Sequence, residues 1–143
     1  LTPRWIEVLS DEVTPELDRV IYRVSRQPMH ERVRHAKDLG ELMVIAHAVV
    51  AAEAGVAVIV LIDDGPGSQI ASAELMRLRR LRAQGYPVGA IALFSTLTVL
   101  KRAAGSPHIP DRNAMRDIYE RLRTLDDGLP PLVKTDLLAP AHW

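Results

Sequence analysis

The sequence predicts an α/β domain built on a central parallel sheet, and three observations carry that expectation. Nearly half of the chain is hydrophobic (48%) and only 4% is aromatic, with Ala, Val, Leu and Ile dominating; this composition suits helices packed on a sheet better than a β-sandwich. The run Val56 to Ile62 (VAVIVLI) is β-branched and has no polar alternation, the mark of a strand covered on both faces. A helical stretch and a second apolar run, Val88 to Phe94, follow it, which makes a β-α-β unit whose crossover is expected to be right-handed. The 143 residues correspond to one domain.

Trp5 to Leu9 is short and β-prone. Ser10 and Asp11 then offer caps for a helix from about Thr14 to Arg26, with Pro15 in its first turn. Leu17, Val20, Ile21 and Val24 recur there at three- and four-residue spacing, which makes one apolar face. QPMHERVRHAK, from Gln27 to Lys37, is polar and basic and reads as a loop or short helix. From about Leu39 to Ala54 the sequence is apolar on nearly every side, so that helix is expected to be buried, and Gly55 ends it. After the VAVIVLI strand, DDGPG breaks the chain and a helix is expected from about Gln69 to Gln84. Further helices are expected near Thr96 to Ala104 and from Arg112 to Leu125, the latter capped by Asp111. Residues 127–143 carry three prolines among five Leu and Val and read as an extended tail that packs or binds a partner.

Charge and inventory narrow the function. Lys plus Arg and Asp plus Glu both number 18, so no global field recruits nucleic acid and any such site is a local patch. With no cysteine, disulfides, thiolate zinc sites and a cysteine nucleophile are excluded. No apolar run approaches the ~20 residues that span a bilayer, and the N-terminus lacks the pattern of a signal peptide; a cytoplasmic protein is expected. The signatures G-x-S-x-G, G-x-x-x-x-G-K and G-x-G-x-x-G do not occur, which removes the markers of hydrolase triads, P-loop NTPases and dinucleotide binding. His30, His35, His47, His108 and His142 form no zinc pattern. His47 reads as a core histidine, and His35 lies near the acidic end of the buried helix.

Two acidic elements stand out. Asp63 and Asp64 open the turn DDGPGS where the buried strand ends, and ligand sites in parallel sheets lie at the carboxyl ends of strands. Two carboxylates there suit a hard divalent cation, although Asp-Gly and Pro-Gly also make a tight turn unaided. Asp38 and Glu41 open the buried helix and could form a capping-box variant. That helix precedes the strand directly and runs antiparallel to it, which brings Glu41 towards Asp63 and Asp64.

The segment GELMVIAHAVVAAEAGVAVIVLIDDGPGSQIA, continued by GYPVGAIALFSTLTVLKRAAG, resembles the second half of PIN-domain ribonucleases, in particular the VapC-type toxin branch. The likeness covers about residues 39–105. It implies a three-layer PIN-like fold and a metal-dependent endoribonuclease, the toxin of a toxin–antitoxin pair. In that family four acids hold Mg²⁺ or Mn²⁺ against an RNA phosphodiester. By position Glu41 matches the third acid, and Asp63 or Asp64 the fourth. The family's first two acids lie upstream of the Gly-Glu motif, and the chain reads as the C-terminal portion of the domain, without its N-terminal strand; Leu1 in place of Met points to a longer parent. A truncated piece, a domain split over two polypeptides and a degenerate binding domain all fit that reading. Where the branch has a basic residue after the acidic turn this chain has Ser68, and Met43 stands where it has a second helical Glu.

Expected partners are RNA, a cognate antitoxin and a second copy of the domain. Arg32, Arg34 and Lys37, just before Glu41, are candidate RNA-phosphate contacts. Arg77, Arg79, Arg80 and Arg82 read first as a solvated helix face and only second as an RNA contact. The alternative to a nuclease is a non-catalytic PIN-like module whose uncovered sheet edge and apolar face bind a partner.

Overall fold

The structure, a computed structural model, describes residues 2–63 and 65–143. It is mixed α/β. Among the described residues the order is α1 (Pro15–Ser25), α2 (Met29–Arg32), α3 (Leu39–Glu53), β1 (Val58–Leu61), α4 (Pro66–Ala83), β2 (Ile91–Phe94), α5 (Thr96–Ala103) and α6 (Arg112–Leu125). Two 3-10 turns follow, at Leu132–Lys134 and Pro140–His142. The chain divides into two compact units, Leu1–Leu93 and Phe94–Trp143.

In the first unit α1 starts where its sequence allows: Thr14 Oγ1 accepts the Leu17 N–H at 3.2 Å and Pro15 takes the first turn. Its stripe of Leu17, Val20 and Ile21 is buried against α3, which packs on α1, α4 and β1. Asp18 reaches across to α2, its Oδ1 accepting the Met29 N–H at 2.7 Å. Along α3, Leu42, Met43, Ile45, Ala46, Ala48, Val49 and Ala52 are buried, so the helix is the spine of this core. Val44 is the large apolar side chain that it leaves exposed.

β1 and β2 form a two-stranded parallel sheet joined through α4, with the Val58 N–H donating to Ala90 O at 2.8 Å. Gly89 makes the approach possible. Its N–H donates to Ala52 O at 2.6 Å, and a Cβ at this position would stand 1.9 Å from Val56 O, so only glycine fits.

Three local expectations are corrected. Trp5 to Leu9 is not a strand, and Trp5, Ile6, Val8 and Leu9 are exposed. β1 is not covered on both faces: Val60 is buried, whereas Ile59 and Leu61 are 66% and 58% exposed. A run without polar residues records that no face prefers water, and the cover itself must come from another element. Asp38 does not cap α3 through its side chain. It adopts the left-handed conformation, φ 55°, and makes no cap bond, because a capping side chain needs extended backbone at that residue.

The second unit has its own core of Leu100, Ile109, Met115, Tyr119, Leu129 and Leu137. Ser95 caps α5 and Asp111 caps α6, accepting the Thr98 and Ala114 amides at 3.1 and 2.8 Å. Residues 127–143 are packed onto this unit. Leu129 and Leu137 are buried, the Tyr119 hydroxyl donates to Pro130 O at 2.6 Å, and the Trp143 indole N–H donates to Leu137 O at 3.0 Å.

Candidate functional site

Glu41 leaves the first turn of α3 and lies over the first turn of α4. A Cβ built on Gly67 would stand 2.5 Å from Glu41 Oε2 and 3.1 Å from Glu41 Cβ, so the side chain occupies the space that glycine leaves open. Glu41 Oε2 is fully buried and has no hydrogen-bond partner. A carboxylate oxygen removed from water without a partner is costly, and the positive end of α4 offsets only part of that cost. α4 begins at Pro66, and Gly65 before it offers no side-chain cap.

Asp63 is half-buried in the turn after β1, four residues before Gly67. The Glu41 side chain and the acidic turn therefore belong to the same end of α4. Asp64 lies outside the described residues. Among the described residues no three His, Asp or Glu side chains are grouped to hold a metal ion.

A pocket of about 200 Å³ opens beside Glu41, walled by Val24, Leu42, Pro66 and Ile70 and edged by Arg32 and Asp38. The basic candidates separate here. The Arg32 guanidinium donates from Nη1 to His35 O at 2.5 Å and from Nη2 to Lys37 O at 2.7 Å, so its fork is engaged with the backbone. Arg34, His35 and Lys37 are exposed.

No family model, curated protein or solved structure matches the chain. The site is therefore weighed on its own chemistry. Oxygen donors of carboxylates are what Mg²⁺ and Mn²⁺ take, and the buried, unpartnered Glu41 Oε2 is the kind of atom a cation satisfies. Glu41 Oε2 is thus the one observation among the described residues that suits such an ion, and Asp63 and Asp64 are the further donors the sequence offers.

At the other end of α3 stands an ionic network that the sequence reading did not find. Glu53 of α3 accepts from Arg19 and Arg23 of α1 and from Arg77 of α4 at 3.0, 3.4 and 2.6 Å, while Glu74 of α4 accepts from Arg23 and Arg77 at 3.0 and 2.7 Å. Glu74 is only 6% exposed. Burial pushes the Glu53 carboxyl up, but hydrogen bonds from Arg19 and Arg77 and the charges of Arg23 and Arg77 outweigh it, and its pKa lies below the usual value. Arg77 therefore faces α3 and not water. The spacing of Glu74 and Arg77, three apart on one helix, was its only local signal.

On another side of α3 lies a cleft of about 1040 Å³ with apolar walls, among them Met43, Val44, Ile59 and Leu61. Leu9 and Val13 of the N-terminal segment line it as well, and Asp11 holds that segment to His47 Nε2 at 3.0 Å. His47 is thus half-buried with an acidic partner on the rim of the cleft.

Proposed function

We propose that the chain is a PIN-like domain that acts in metal-dependent cleavage of RNA, as the toxin of a toxin–antitoxin pair. The observation that carries the reading is Glu41 Oε2, buried and unpartnered at the first turn of the helix that follows the acidic turn. Glu41 and Asp63, with Asp64, would hold Mg²⁺ or Mn²⁺. Bound there, the ion would lower the pKa of its water and offset charge on a phosphodiester. Glu41 presents its oxygen from a turn of helix packed on both neighbours, so it is oriented before any ligand arrives. The exposed Arg34 and Lys37, seven and four residues before it, would hold the RNA backbone by charge. A cognate antitoxin and a second copy of the domain are the partners this reading brings.

The deciding experiment is calorimetric titration of Mn²⁺ into the full chain and into Glu41→Gln. Binding by the first that the second loses is the expected result. A second reading, a PIN-like module that binds a partner without catalysis, is favoured by the apolar cleft and its exposed Ile59 and Leu61. Absence of Glu41-dependent binding decides for that alternative.

A further inference from the structure

We infer that Arg32 is a positioning residue for the Glu41 carboxylate, a claim that rests on the metal-binding reading of Glu41 given above. Arg32 ends α2 and edges the same pocket as Asp38 and Glu41. Its guanidinium bridges the carbonyls of His35 and Lys37, two residues apart in the loop that delivers the chain to α3. The next residue, Asp38, is left-handed, a conformation that non-glycine residues hold only where their surroundings impose it. Asp38 supplies no side-chain cap. The first turn of α3 therefore lacks the usual device that fixes a helix start, and the Arg32 fork fixes its entry instead.

Glu41 is the third residue of that turn, and its side chain fills the room that Gly67 leaves by having no Cβ, an added Cβ there standing 3.1 Å from Glu41 Cβ and 2.5 Å from Oε2. If the loop relaxes, the turn frays or rotates and the carboxylate leaves its place. The planar fork matters here, because a lysine ammonium is a point charge that does not hold two carbonyls in one plane. The same geometry explains why Arg32, placed beside exposed Arg34 and Lys37 in sequence, has a different task from them.

The test titrates Mn²⁺ into the full chain and its variants, with circular dichroism to show that each is folded and electron paramagnetic resonance of the bound Mn²⁺ to report its surroundings. Arg32→Ala is expected to weaken binding at least tenfold and to alter the resonance lineshape, Arg32→Lys to fall between it and the wild type, and Arg121→Ala, at an exposed arginine of α6, to leave both unchanged. If Arg32→Ala does not fold, Arg32→Lys alone decides, with a threefold loss as the expected result. Wild-type affinity and lineshape in the folded Arg32 variant overturn this inference while leaving the metal reading intact. A wild-type chain that binds no Mn²⁺ through Glu41 overturns both.

Discussion

At the scale of single residues, Glu41 and Gly67 are a matched pair: one buries a carboxylate, and the other has no side chain so that it can. Because Glu41 Oε2 has no partner, neutralising it is expected to help the fold. Glu41→Gln should raise the metal-free unfolding free energy by about 1 kcal/mol, measured by urea denaturation, while removing Mn²⁺ binding. A loss of stability instead would mean that the carboxylate is satisfied in solution. Gly67→Ala is expected to displace the carboxylate and weaken Mn²⁺ at least tenfold. Gly89→Ala belongs to a harsher class, since its Cβ meets backbone that cannot step aside; about 3 kcal/mol of stability should be lost. The place of Glu41 in the first turn of a buried helix was legible in sequence. The left-handed backbone of Asp38 was not, because the carbonyls that Arg32 grips lie outside any local pattern.

At the scale of elements, α1, α3 and α4 are joined twice, by an apolar core and by the Arg–Glu network on its flank. The start of α6 was readable to the residue, because Asp111 caps it as expected, whereas the cap of α1 is Thr14 and not Ser10 or Asp11, since only the residue directly before the first turn reaches its free amides. The network was not readable, because pairing Glu53 with three arginines is a property of three packed helices. Glu74→Ala leaves Arg23 and Arg77 with fewer acceptors and is expected to cost about 3 kcal/mol, with Arg79→Ala, on the same helix, as a near-neutral control. The lowered pKa of Glu53 also sets a sign for pH. A carboxyl held below its unfolded value of 4.5 stabilises the fold fully above that value, and the contribution is lost as pH falls through the folded pKa. Melting temperatures taken from pH 7 to 3 should therefore fall less steeply in Glu53→Gln than in the wild type, from a lower starting point. Parallel slopes would remove Glu53 from the acid response.

For the whole molecule, the α/β class was visible in composition and in the two apolar runs. The division into two units was not, because its boundary falls between Leu93 and Phe94, inside β2 and inside a continuous apolar stretch with no linker composition. The tail read as an extended segment that packs or binds a partner, and of these it packs: Leu137 is fully buried. The open face of β1 is the feature most exposed to experiment. Ile59→Lys with Leu61→Lys alters side chains already in water and should change stability by only about 0.5 kcal/mol, while binding of the apolar dye ANS to the native protein should drop at least threefold. Unchanged dye binding would place the apolar surface elsewhere.

The two tryptophans have a practical consequence. Trp5 is 83% exposed, so its emission is already that of a solvated indole and changes little on unfolding. Trp143 is partly buried, its N–H engaged by Leu137 O beside the second core. The change in tryptophan fluorescence on unfolding thus reports mainly the C-terminal unit, whereas helical circular dichroism draws mostly on α1, α3 and α4. The chain carries an optical label on one unit, and comparing the two signals during a denaturant titration follows each unit separately without a dye or a substitution.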